Sequence, residues 1–207
     1  MSRTTAPIPR LTVWRGDPDV LADLLSLPGA LLEGHFRLLS GLHSDRFVAF
    51  SQITAKPGVP ELLADWLLPS LGALRPNAVL APSTAGVGLG WAIAQRFGVP
   101  LHLATLDAPG RPEAVLGEQD LSGTSILLVN DVVTTGDGLV ALAELVRERG
   151  AEVGAATWFL SRSDVELSER IGAPSVALAR LPLQTWHERE CPLCAAGIEA
   201  TEATDLN

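Results

Sequence analysis

Lysine is nearly missing from this chain: Lys56 is the only one in 207 residues, and arginine carries the rest of the positive charge. Lys56 lies in "TAKPGVP". That excludes a Walker-type loop, in which a lysine follows directly on the glycines that wrap a nucleotide phosphate. Positive charge is scarce altogether, with 15 Lys+Arg against 24 Asp+Glu and a formal net charge of -9. A general grip on nucleic acid needs clustered Lys and Arg, and no basic DNA-binding segment is present. No apolar run approaches the roughly 20 residues needed to span a bilayer. The start, "MSRTTAPIPRLTVWRGD", lacks the apolar stretch of a signal peptide. The two cysteines sit together in "CPLC", so no disulfide framework is implied. These absences describe a cytoplasmic chain with neither DNA nor a membrane as partner. The length suits one domain spanning residues 1–207.

What is present is an alternation of strand-like and helix-like segments. "DPDVLADLLSL" reads as a helix with Asp17 as N-cap and Pro18 in the first turn. "HFRLL" and "RFVAFSQI" read as two strands around a polar turn. "VPELLADWLLPSLGAL" places Leu62, Leu63, Trp66, Leu67 and Leu71 at helical spacing. "NAVLAP" is a short buried strand leading into "STAGVG", then a helix ending near Gly98. "PLHLATL" and "TSILLVN" read as strands separated by a loop, Asp107 to Gly123. "DGLVALAELVRERG" is an amphipathic helix, "EVGAATWFLS" a strand, "DVELSERIG" a short helix and "PSVALARL" a strand. Such alternation implies a parallel sheet with helices on both faces. The residues after about 181 leave the pattern, and the small acidic ones at about 199–207 read as disordered.

Ligands of open α/β sheets bind beyond the carboxyl ends of the strands. Three loops reach that edge: Pro82 to Gly88, Asp107 to Gly123, and Asn130 to Gly138. The third is the most informative. In "ILLVNDVVTTGDGL" an apolar strand ends at Asn130 and Asp131, and Thr134, Thr135, Gly136, Asp137 and Gly138 precede a helix. Amides at a helix start are unsatisfied donors at the positive end of the helix dipole. Hydroxyls and glycines let such amides close around a phosphate without a lysine. Asn130 and Asp131 suit sugar hydroxyls, and an acid there suits a developing cation. The same residues also fit an ordinary strand-to-helix turn with Asp137 as N-cap.

The whole string resembles the phosphoribosyl pyrophosphate (PRPP) motif of type I phosphoribosyltransferases. "GHFRLLSGLHSDRF" and "LAPSTAGVGLGWAIAQRFG" resemble the N-terminal region and the pyrophosphate loop of the orotate branch of that family. The resemblance covers about Leu24 to Leu181. It implies an α/β fold with a type I phosphoribosyltransferase-like parallel sheet, flanking helices and a small hood, the last from about 1–55 and 181–198. It implies transfer of the phosphoribosyl group of PRPP to a nucleobase, orotate first among candidates, with Mg2+ bridging the donor. Thr134 to Gly138 would hold the 5-phosphate, Asn130 and Asp131 the ribose, and Ser83, Thr84, Ala85 and Gly86 the pyrophosphate. Asp131 would stabilise the oxocarbenium-like transition state. Ser40, Gly41 and His43 fall in the segment that helps form the base pocket. The loop from Asp107 to Gly123 would close over the site, often across the interface of a homodimer.

Three positions and the closing loop depart from that pattern. Asn130 replaces an acid, Gly138 stands where a hydroxyl is common, and Phe50 falls where the orotate enzymes often carry lysine. The closing loop has no lysine, which leaves Arg111 as its only cation. Arginine binds phosphate but is no simple replacement for a catalytic lysine. Two readings follow: an active transferase using Arg111, or a catalytically weak PRPP-binding relative acting as a sensor or partner subunit.

His187, Cys191 and Cys194 form H-x3-C-x2-C, which offers three Zn2+ ligands. No fourth stands out beyond Glu188 and Glu190, and two cysteines at this spacing also fit a buried pair without metal. His43 could contact the base or a partner subunit, or face water in its turn. His35 and His102 read as structural strand residues.

Overall fold

A computed structural model describes residues 11–107, 110–117 and 120–203. β1 (Thr12–Val13) leads into α1 (Pro18–Leu25), where the Asp17 side chain accepts from the amides of Asp19 and Val20. The hairpin β2 (Leu31–Arg37) and β3 (His43–Val48) follows. The expected second strand is shorter than its sequence suggests, because Phe50–Thr54 form the helix α2. Phe50 and Ile53 are both buried, whereas residues three apart on a strand point to opposite faces. Phe50 packs on Phe159 with ring centroids 4.7 Å apart, so it is a core residue.

The remaining elements alternate as the sequence predicts. They are α3 (Val59–Leu71), β4 (Ala78–Pro82), α4 (Val87–Phe97), β5 (Leu101–Leu106), β6 (Pro112–Val115), β7 (Ser125–Val133) and α5 (Asp137–Glu148). They continue through β8 (Glu152–Ser161), α6 (Ser168–Ile171) and β9 (Ser175–Arg180). A 3-10 turn at Glu188–Glu190, then α7 (Pro192–Ala195) and β10 (Thr201–Glu202), close the described chain.

Seven strands form the main sheet in the order β1-β9-β8-β7-β4-β5-β6. The five inner strands pair in parallel, and β1 and β6 add antiparallel edges. The edge strand β6 is a correction to the loop expected from Asp107 to Gly123: Thr105 pairs with Ala114, and Ala104 with Val115. The Asp107 carboxylate accepts from the Arg111 amide at 2.7 Å and tightens the intervening turn. Two apolar clusters lie on either side of the sheet. One contains α3 and α4, and the other α5 and α6. No helix among the described residues is long and apolar enough to cross a membrane.

A second sheet, β10-β2-β3, forms the hood. Its boundaries differ from expectation in two ways. β1 joins the main sheet by pairing with β9, so the described residues before β2 are not hood strands. Residues 199–203 are not a loose tail: Thr201 and Glu202 pair in parallel with Phe36 and Arg37, and Ala203 is buried. Backbone pairing to β2 satisfies amides that the polar side chains of this segment leave free to pair. The expected disorder at 204–207, and any hood residues before position 11, lie outside the described residues.

Candidate functional site

The connections from β4 and β7 fix where a ligand crevice opens. β4 continues through α4 to β5 on one side, and β7 continues through α5 to β8 on the other. β4 and β7 are neighbours, so the chain direction reverses between them, and the crevice lies at their carboxyl ends. β7 is fully buried from Ile126 to Val129 and emerges at Asn130 and Asp131, which are partly exposed. Its pairing with β4 ends at Leu128, while its pairing with β8 runs on to Val133. Asn130 and Asp131 therefore flank the crevice mouth.

The loops after the two strands meet there. An atom added at the Cβ position of Gly86 would lie 3.3 Å from the amide nitrogen of Asp131 and 3.5 Å from the carbonyl carbon of Asn130. Gly86 thus lets the turn Ser83-Thr84-Ala85-Gly86 close directly onto the Asn130–Asp131 backbone. The Ser83 amide donates to the Ala104 carbonyl at 2.9 Å, which ties this turn to β5. Gly86 is the N-cap of α4 and supplies no capping side chain; the Val87 amide donates to the Thr84 carbonyl at 3.2 Å, and those of Gly88 and Leu89, in the first turn, stay available to an anion.

The turn Thr134–Gly138 is built the same way, with one correction. Asp137 is the first residue of α5 and Gly136 its N-cap, in the left-handed region at φ 83°. A Cβ at Gly136 would overlap Leu167 Cδ2 at 2.3 Å. The amides of Gly138 and Leu139 fall in the first turn, before any intrahelical acceptor. The Asp137 carboxylate does not cap them. It accepts from Thr135 Oγ1 at 2.8 Å and Arg170 Nη2 at 2.6 Å, while Arg170 Nη1 donates to the Thr135 carbonyl at 2.6 Å. Ser163 Oγ donates to the Thr134 carbonyl at 2.8 Å. Arg170 and Ser163, in or beside the α6 segment, brace the loop and carried no motif in the sequence.

The bond from Thr135 and then the one from Arg170 hold the Asp137 carboxyl below the usual carboxylate range. A depressed acid contributes stability above its unfolded pKa and loses it as pH falls through its folded pKa. The melting temperatures of the native chain and Asp137→Asn should therefore differ at neutral pH and converge in acid. A gap that stays constant as the carboxyl protonates would show that the charge on Asp137 does not brace the loop.

Arg111 is exposed in the turn before β6, and its positive field reaches Asp137 as a minor contribution. The hood approaches the same turn: a Cβ on Gly110 would lie 3.1 Å from Leu39 Cδ2. Ser40 and Gly41 form the β2–β3 turn beside Leu39, with Gly41 in the left-handed region at φ 78°. His43 departs from both expectations for it. It is buried, and its Nδ1 lies 2.8 Å from His35 Nε2 and 3.3 Å from Cys194 Sγ.

The histidine expected beside the cysteines is also corrected. His187 is exposed at the start of the 3-10 turn. His35 and His43 take its place, and their ligand atoms lie within 4.8 Å of one another and of the Cys191 and Cys194 sulfurs. Ligands contributed by strands more than 140 residues away from the cysteines leave no local spacing to read. His102 lies in β5, where burial lowers its pKa.

One further residue was not visible in the sequence. Arg162 follows β8 and is 2 % exposed. Its amide donates to the Val133 carbonyl at 2.8 Å, which places it beside the Thr134–Gly138 turn. Its Nη2 donates to Ser44 Oγ at 2.6 Å and to the Arg46 carbonyl at 3.0 Å. Its Nε is buried and has no hydrogen-bond partner among the described residues. Burial pulls its pKa down to about 10, with Asp45 opposing, so it remains charged at neutral pH.

Two glycine-opened helix starts, a polar pair between them and a buried guanidinium after β8 stand together at this end of the sheet. A phosphoribosyl transferase domain model matches residues 51–172. The chain is 33% identical to the orotate phosphoribosyltransferase of Carboxydothermus hydrogenoformans, over 82% of this chain and 88% of that protein. It is also 33% identical to the Acidithiobacillus ferrooxidans enzyme of the same name, over 86% and 92% of the two chains. The crystal structure of orotate phosphoribosyltransferase from Aeropyrum pernix superposes with a TM-score of 0.65 at 29% identity, covering 78% of this chain and 93% of that one. The matched domain spans both helix-start loops and the polar pair between them, and the chain belongs to the phosphoribosyltransferase family.

Proposed function

We propose that this transferase takes PRPP as donor and orotate as acceptor, with Mg2+ carried on the donor. Arg162 is the observation that carries the choice of acceptor. Orotate is a pyrimidine bearing a carboxylate, and a buried, charged guanidinium at the seam of hood and sheet, its Nε unpaired, suits a charge-assisted bond to one once the site admits it. The names of the similar proteins point the same way, and they favour transfer over a sensor or partner-subunit role.

In this reading the amides at the start of α5, with the Thr134 and Thr135 hydroxyls, hold the 5-phosphate. Asn130 and Asp131 orient the ribose hydroxyls. The Ser83–Gly86 turn receives the pyrophosphate, and Ser40 and Gly41 border the base. A base nitrogen forms a bond to the anomeric carbon as the bond to the pyrophosphate oxygen breaks; the electron pair leaves with pyrophosphate, and the proton from the base nitrogen passes to solvent. The Asp131 carboxylate faces the cationic sugar, and Arg111 faces the departing anion. No side chain ligates the Mg2+ directly in this reading; the donor's phosphate oxygens and water would hold it. When bound, the ion neutralises part of the charge developing on pyrophosphate. A cytoplasmic homodimer belongs to this reading through the family resemblance.

Orotate loss followed by absorbance, with PRPP and Mg2+ present, tests the proposal directly. Turnover is expected; none with orotate or any common free base would end the catalytic reading. Arg162→Lys should lower kcat/KM for orotate by about 10- to 100-fold, the scale of one buried charge-assisted hydrogen bond. An unchanged value in a folded variant would free Arg162 from any role in base selection.

A further inference from the structure

We propose that the hood holds a structural zinc ion between His35, His43, Cys191 and Cys194. The four ligand atoms converge from two sides: His35 lies on β2 and His43 on β3, while Cys191 and Cys194 flank the start of α7. His35 Nε2 lies 2.8 Å from His43 Nδ1, 3.4 Å from Cys191 Sγ and 3.7 Å from Cys194 Sγ. Cys194 Sγ lies 3.3 Å from His43 Nδ1. A tetrahedral ion with Zn–N near 2.0 Å and Zn–S near 2.3 Å spaces its ligand atoms at about 3.3–3.8 Å. Three of these four separations match the edges of one such tetrahedron, the two rings would move apart by about half an ångström, and all four ligand atoms lie within 4.8 Å of one another, so a bound ion would draw the set together.

The surroundings support a metal over a chance gathering of side chains. His35 Nδ1 lies 2.7 Å from the Ile198 carbonyl. A carbonyl only accepts, so Nδ1 carries the proton and the Nε2 lone pair faces the cluster, as a ligating imidazole requires. Both cysteines are free of disulfides. His35, His43 and Cys191 are buried and Cys194 is partly so. Two sulfurs and two imidazoles in tetrahedral array favour zinc among the common divalent ions. Four protein ligands also leave no open position, which marks the site as structural.

The chain offers a reason for such a clip. Between Gln184 and Ala203 only Cys191 and Ala203 are fully buried. Little apolar area therefore fastens this segment to the hood, apart from the β10 pairing and the mutual backbone bonds of His43 and Trp186. Small elements without a core of their own commonly rely on a metal or a disulfide.

The full chain, expressed with zinc and dialysed, is measured for metal content by mass spectrometry. One zinc per chain is expected. Cys194→Ser should lose it, and His187→Ala should retain it. Cobalt added to the zinc-stripped native chain should give the intense visible bands of a tetrahedral ion together with a thiolate charge-transfer band. That readout keeps the test open if a cysteine variant fails to fold. Removing zinc should also lower the melting temperature. A folded native chain with no stoichiometric zinc and no tetrahedral cobalt spectrum would overturn the proposal. Zinc retained by Cys194→Ser but lost by His187→Ala would do the same.

Discussion

Gly136→Ala is expected to lower the melting temperature by roughly 5–15 °C and to weaken PRPP binding more than tenfold. Two costs coincide at this position. A left-handed conformation at φ 83° is open to glycine but costs alanine about 1–2 kcal/mol. The added methyl would also fall 2.3 Å from Leu167 Cδ2, and overpacking of this kind costs about 1–3 kcal/mol. For a chain of this size each kcal/mol moves the midpoint by about 2–4 °C. The contrast is Gly138→Ala, where the new methyl meets nothing within 4 Å. Within a helix, alanine is the better residue by about 1 kcal/mol, so this variant should melt at or above the native temperature. Thermal unfolding of both, with and without PRPP, decides the matter. A stable Gly136→Ala that binds PRPP normally would show that the turn does not need its glycine.

Asp131→Asn should reduce kcat by about 100- to 1,000-fold while PRPP affinity changes by no more than about threefold, the pattern for charge stabilisation realised in the transition state. The substitution preserves shape and keeps an oxygen able to accept from the Val132 amide, which Asp131 Oδ1 now does at 2.7 Å. It removes the negative charge and exchanges the second oxygen for an amide donor of nearly the same size. Single-turnover rates and a PRPP titration separate the two quantities. Equal losses in rate and affinity would make Asp131 a ground-state sugar ligand instead.

The strand end and helix start from Asn130 to Gly138 were legible because they are local. Glycine, hydroxyl and acid follow one another within Asn130 to Gly138, and an apolar run announces the strand before them. The residues that brace and complete the site were not legible, because their partners are distant in sequence. Arg170 meets Thr135 and Asp137 across more than thirty residues, and Arg162 meets Ser44 across 118. The hood misled for a related reason. Phe50 and Ile53 are apolar enough to extend a strand, and only packing against Phe159 and the core settles them in a helix. His187 stood at metal-ligand spacing from the cysteines, but spacing along a chain says nothing about histidines delivered by another sheet.

The parallel pairing of β10 with β2 also governs the order of events during synthesis. Strands at positions 31–48 form one side of the hood, yet their partner at 201–202 emerges almost a whole chain later. β1 likewise waits for β9. At about 5–20 residues per second on the ribosome, the early hairpin stays one strand short for roughly ten to thirty seconds. The inner sheet and its two glycine-opened turns can assemble in that interval. The roof beside them closes only once residues 201–202 can pair with β2, so the crevice takes shape before its cover does.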